Sequence, residues 1–244
     1  MAIFHIKIAG HTARITSLFE STPQYFRPYL TEDPAEFSIA VTKEMLAFEQ
    51  ADLLEEAHRD GFRPRVFTDP FLERAAIQRA FAEFLFAYDI LLFHGSAIAV
   101  DGEGYLFTAH SGTGKSTHTR LWKQVLGDRA VMVNDDKPFL ELTGRGVILH
   151  GSPWSGKHGL DANVSVPLKG LCLLERGTEN RITPADREMV LPMLRKQAYC
   201  PMAASKFSRF QDLVLALSQQ VSLWKLSCNK NPDAATLAFE TMRK

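Results

Sequence analysis

The stretch from His94 to Asp136 constrains the fold more than any other: HGSAIAVDGEGYLFTAHSGTGKSTHTRLW, closed at 131 to 136 by VMVNDD. Its centre, Ser111-Gly112-Thr113-Gly114-Lys115-Ser116-Thr117, lies between an apolar strand pattern at 105 to 109 and a helical pattern at 115 to 126. That order suits an anion. Glycines let the backbone approach it, successive N–H groups converge on it, and the following helix turns its positive end toward it. The pattern is that of a phosphate-binding loop (P-loop), which assigns Lys115 to the β- and γ-phosphates of a nucleotide and the Ser116 hydroxyl to Mg²⁺. The apolar strand at 131 to 134, ending in Asp135-Asp136, gives the cation a second anchor.

Phosphoryl transfer asks a protein mainly for positioning and charge neutralisation. One aspartate can hold Mg²⁺ while the other accepts a proton from an attacking hydroxyl. Asp135 is assigned as base and Asp136 to the metal. The reverse assignment satisfies the same spacing, because neighbouring strand residues face opposite ways unless the strand ends there. His94, before Gly95-Ser96, is placed to orient Asp135 or touch the γ-phosphate. Arg176, ending the run LCLLERG at 171 to 177, is a candidate for transition-state charge.

A second stretch, Gly151-Ser152-Pro153-Trp154-Ser155-Gly156-Lys157, also fits GxxxxGK, with a first glycine where the other loop has Ala109. His158 stands where the metal-binding hydroxyl should be, and the following GLDANVSVPL is a poor helix former. Without a helix there is no dipole to hold a phosphate. The stretch is therefore expected to face the nucleotide as a contact loop, with Lys157 as a phosphate donor and Trp154 as a platform.

Elsewhere the sequence predicts strands at 2 to 8, 13 to 17 and 37 to 41, with a turn at Gly10-His11. A helix is expected from Thr42 to about Arg59, its apolar face at Leu46, Leu53, Leu54 and Ala57 and its acidic face in solvent. Another opens at Asp69-Pro70. Strands at 91 to 100 and 104 to 109 should form a hairpin about Asp101-Gly102. Further strands are expected at 139 to 142, 147 to 150, 168 to 174 and 221 to 226. Helices should run from Pro184 to about 199, from about 205 to 219, and after Asn231-Pro232. The boundary is placed at 88, giving an N-terminal subdomain at 1–88 and a nucleotide domain at 89–244.

Lys and Arg (28) balance Asp and Glu (28), so no overall field favours nucleic acid or an anionic membrane. No apolar run has the length of a membrane span. Three scattered cysteines and a strand-like N-terminus without a signal-peptide pattern predict a reduced, cytoplasmic protein.

The HG dipeptide, the hairpin, SGxGKS, the helix and the strand ending in DD together resemble the catalytic core of HPr kinase/phosphorylase. Through it, residues 89 to 140 are similar to the phosphoenolpyruvate carboxykinase-like nucleotide-binding superfamily. The 151 to 157 stretch, with Pro167-Leu168 and Glu175-Arg176-Gly177, also resembles a branch of small HPr-kinase-like proteins, some of which modify peptides such as lasso peptides. The resemblance implies ATP phosphates at Ser111 to Thr117, Mg²⁺ at Ser116 and an acidic residue, acid–base chemistry at Asp135 with His94 nearby, and assembly as a homo-oligomer. The expected fold is α/β, a mixed and largely antiparallel sheet around the loop with packed helices, plus a small N-terminal α/β subdomain. The expected function is ATP-dependent transfer to a hydroxyl acceptor on a small molecule, peptide or protein; the alternative is a nucleotide-binding regulator without turnover.

Overall fold

The computed structural model describes every residue except Asp60 and Lys157. The chain divides into two compact units, Met1–Phe84 and Leu85–Lys244.

In the first unit, β1 (Ala2–Ile8) and β2 (His11–Ser17) form an antiparallel hairpin, and β3 (Phe37–Ala40) lies parallel to β2. The turn falls at Ala9-Gly10, one residue before the predicted place, and both residues have positive φ. Three helices follow the chain, α1 (Thr22–Tyr25), α2 (Lys43–Arg59) and α3 (Asp69–Leu85). Thr42 caps α2, its hydroxyl accepting the Met45 N–H at 3.3 Å. The acidic face of α2 is not wholly solvated. Glu49 is buried and accepts both Arg79 Nε (2.5 Å) and Nη2 (3.0 Å) from α3, because a carboxylate there completes a charge pair that Asp52 extends. Of the predicted apolar face only Leu46 is fully buried.

The second unit is built on one large curled mixed sheet. Its strands are β4 (Ile90–Leu92), β5 (Ser96–Val100), β6 (Glu103–Thr108), β7 (Ala130–Asn134), β8 (Phe139–Thr143), β9 (Gly146–His150), β10 (Ser165–Arg176), β11 (Arg181–Pro184) and β12 (Ser222–Cys228). Their order is β4-β8-β9-β10-β6-β5-β7, with β12 beside β10 and β11 beside β12. Among the described residues of this sheet only β10–β6 and β10–β12 pair in parallel; its remaining pairings are antiparallel. The hairpin turn at Asp101-Gly102 has positive φ at both residues, the geometry that matches strand twist.

Helices cover both faces: α4 (Lys115–Leu126) and α7 (Asp233–Met242) on one, α5 (Arg187–Gln197) and α6 (Phe207–Gln220) on the other. Strand alternation divides the core accordingly. Ile98, Val100, Tyr105, Phe107, Cys172 and Leu174 pack with Trp122 and Phe239, whereas Ala97, Ala99, Leu106 and Leu171 pack with Leu194, Phe210 and Val214. Burial on both faces explains why β5 and β6 read as nearly continuous apolar runs. No helix among the described residues is long and apolar enough to cross a membrane.

Two element predictions need correction. The strand expected at 91 to 100 is two strands, β4 and β5, on different partners. Residues 93 to 95 leave the ladder, the Phe93, His94 and Gly95 N–H groups donating to the carbonyls of Pro138, Gln197 and Asp136. A Cβ on Gly95 would meet Leu106 Cδ1 at 2.8 Å and the Phe107 carbonyl at 3.0 Å, so this break requires glycine. Second, Pro184 ends β11 instead of opening a helix. It sits where an edge strand tolerates a missing N–H, and α5 starts at Arg187.

Candidate functional site

β6 ends at Thr108, and the chain turns before α4 begins at Lys115. Two glycines make that turn possible, Gly112 at φ 76° and Gly114 at φ 124°, the latter at a backbone position that L side chains rarely adopt. Ser111 and Gly112 are exposed and Thr113, Gly114, Ser116 and Thr117 half-buried, so this part of the loop is open to a ligand. Lys115 is mostly buried, and its Nζ donates to the Ala109 carbonyl at 3.2 Å. Burial, opposed by the charge of Asp136 and helped by that of Lys137, pulls its pKa below the ordinary lysine value.

The carboxylate pair is positioned by Asn134. Its Oδ1 accepts the N–H groups of Asp136 (2.7 Å) and Lys137 (2.6 Å), and its Nδ2 donates to the Ser152 carbonyl at 2.8 Å. This side-chain turn ends β7, so Asp135 and Asp136 are not strand neighbours facing opposite ways. Both come to the start of α4. Ser116 Oγ donates to the Asp135 carbonyl at 3.4 Å.

The two carboxylates differ. Asp135 is 2% exposed; its Oδ1 accepts the Gly156 N–H at 2.9 Å, and its buried Oδ2 has no hydrogen-bond partner among the described residues. Burial raises its pKa, with Asp136 adding to the shift and the Gly156 N–H opposing it. Asp136 lies 3.2 Å from His94 Nε2. Burial works to raise its pKa too, but the His94 hydrogen bond and the charges of Lys137 and Lys115 outweigh it, and the net shift is downward. His94 is itself kept neutral by burial and by Lys137, so its Nε2–H is the donor. His94 therefore partners Asp136 and not Asp135.

The second GxxxxGK stretch meets the carboxylate pair through Gly156. A Cβ there would fall 2.6 Å from Asp135 Oδ1, so only glycine lets this backbone N–H reach the carboxylate. Trp154 is not a platform: it is buried, edge-on to Phe139 at 6.2 Å. Lys157 lies outside the described residues. Arg176 reaches the first loop from β10, donating to the carbonyls of Gly112 and Thr113.

Beside the loop, a cavity of about 360 Å³ that neither aspartate lines opens between α4 and the ends of β10 and β12. Thr113, Thr117, His118, Leu121 and Leu174 are among its walls.

The structure thus brings together Lys115, Ser116, Asp135, Asp136 and His94, and adds Asn134 and Gly156. The sequence did carry a signal for Asn134, since Asn ahead of two polar residues is turn chemistry. Gly156 had no comparable signal, because its role depends on a contact 21 residues away. Among the described residues no three His, Cys, Asp or Glu side chains form a metal cage.

No family model matches the chain, and no curated protein matches it. Among solved structures it is similar to the HPr(Ser) kinase/phosphatase from Coxiella burnetii, at 13% identity and a TM-score of 0.35, over 62% of this chain and 88% of that one. At that distance the reading of function rests on the site itself.

Proposed function

We propose that this protein is a Mg²⁺- and ATP-dependent kinase that transfers the γ-phosphoryl group to a hydroxyl on a small molecule, peptide or protein. The observation that carries this reading is Asp135, a buried carboxylate with one oxygen fixed by Gly156 and the other unpartnered, at the start of the helix that follows the glycine loop. A buried acceptor left open beside an anion cradle suits a general base.

In this reading the N–H groups of Ser111 to Thr117 and the start of α4 hold the phosphates. Lys115, already desolvated and held by one carbonyl, supplies fixed positive charge to the β- and γ-phosphates without reorganising. Ser116 Oγ and an oxygen of Asp136 would hold Mg²⁺; they are hard oxygen donors of the kind that ion takes, with phosphate and water completing its shell. When bound, the ion neutralises charge developing on the transferred group. His94 keeps Asp136 ionised and oriented. Asp135 Oδ2 takes the proton of the acceptor hydroxyl as its oxygen bonds to the γ-phosphorus and the bond to the β–γ bridging oxygen breaks, releasing ADP. Its raised pKa favours holding that proton. Arg176 clasps the loop by its carbonyls, and Lys157, next after Gly156, is assigned to the phosphates on its charge alone.

ADP release and ATP calorimetry on the Lys115→Ala and Asp135→Asn variants test this. Asp135→Asn should keep ATP binding and lose turnover by about 10²- to 10⁴-fold, the usual scale for removing a general base. Unchanged ADP release by Lys115→Ala would sink the proposal. ATP binding with no turnover in the unmodified protein would make it a regulator.

A further inference from the structure

We propose that the cavity beside the glycine loop is the nucleoside subsite, taking the base and sugar of the nucleotide, with the Nδ1–H of His118 as a hydrogen-bond donor to the base; this rests on the kinase reading above. The direction of the ligand follows from where the chemistry is. The reacting phosphoryl group belongs at the Asp135 and Asp136 end, and neither aspartate nor Ser116 lines the cavity. Thr113, Gly114 and Thr117 do, so the cavity shares a wall with the phosphate cradle. A chain of phosphates laid along the loop with its γ end at the carboxylates therefore delivers its other end into this space.

The cavity suits a heterocycle. Its volume, about 360 Å³, lies in the range of small-molecule sites, roughly 300–1,000 Å³. Leu121 and Leu174 give it apolar walls, and Lys230 lies at its margin. His118 adds a directional group. Trp122 Nε1–H can only donate, and it donates to His118 Nε2 at 3.0 Å, so the ring's proton sits on Nδ1. That Nδ1 is buried and has no partner among the described residues. A neutral donor beside apolar walls recognises a ring with nitrogen or carbonyl acceptors, which a purine base carries and an inorganic phosphate chain does not.

Cys228, half-buried in the same wall, gives a probe that needs no substitution. Alkylation by iodoacetamide, followed by peptide mass mapping, should slow at Cys228 by about 10-fold with saturating Mg²⁺–ATP, since a bound ring removes the thiol from solvent, and should not slow with inorganic tripolyphosphate. Equal rates with the two ligands would overturn the inference. As a second arm, Leu121→Trp fills the cavity and should weaken ATP by about 30-fold while leaving tripolyphosphate within about 2-fold, as expected when only the apolar contact is lost. Unweakened ATP binding by that variant would remove the subsite and leave the kinase reading intact. If neither ATP nor tripolyphosphate binds the unmodified protein, the kinase reading itself fails.

Discussion

Two buried titratable side chains show how the site sets stability against pH. Asp135 has a raised pKa in the folded state, so its ionised form is disfavoured by folding; the penalty is present above that value and vanishes as pH falls through it. The Asp135→Asn protein should therefore melt at the same temperature or higher at pH 7 by calorimetry, since Oδ1 and its Gly156 bond are kept. Lower stability together with lost turnover would assign Asp135 a structural role. His118 runs the other way. Its folded pKa of about 4 lies below the unfolded 6.5, so the unfolded chain binds the extra proton between those values and stability falls as pH drops through that window. At ~1.4 kcal/mol per unit the loss approaches a figure on the order of 3 kcal/mol. Urea titrations from pH 7 to 4 should show this slope, and His118→Gln, which keeps an acceptor for Trp122, should flatten it. A residual slope of the same sign belongs to His94, also lowered by burial. None of this was legible in the sequence, where His118 is one histidine among eight; what makes it distinctive is burial together with the Trp122 bond and an unpartnered Nδ1.

The elements were more legible than their boundaries. Strand, glycine loop, helix and carboxylate strand follow one another as the sequence predicts, because glycine spacing, helical periodicity and an apolar run are local signals. The break between β4 and β5 is not local. It exists because three N–H groups find carbonyls on distant elements, and it is what sets His94 beside Asp136. The second loop shows the same limit from the other side. Its GxxxxGK spacing suggested a phosphate contact, yet the described contact is a backbone N–H on a carboxylate. Gly156→Ala places a methyl carbon 2.6 Å from Asp135 Oδ1, so loop or carboxylate must move. A displacement near 1 Å costs turnover on the order of 10²-fold when the group acts on a reacting atom. Steady-state kinetics should show that loss in kcat with ATP affinity little changed; an equal loss of ATP binding would move Gly156 into the phosphate cradle.

At the scale of the whole chain, each compact unit buries its own apolar core, Ile6, Ile15, Phe26, Ile77 and Phe81 in the first and the two sheet faces in the second. Every residue assigned to nucleotide chemistry falls in 85–244. So do all three tryptophans, Trp122, Trp154 and Trp224. Tryptophan fluorescence therefore reports the second unit alone, while far-ultraviolet circular dichroism reports both. A ligand that binds only the folded form stabilises it by about 2.7 kcal/mol at 100 times its Kd. For a unit of this size that is a rise of roughly 5–10 °C in melting temperature. Two independent cores melt as two steps, so Mg²⁺–ATP should raise the fluorescence-detected midpoint by that amount and leave a second dichroism step in place. A single transition moving as one block would show that the units unfold together, and a fluorescence midpoint that ATP does not move would remove the nucleotide from 85–244.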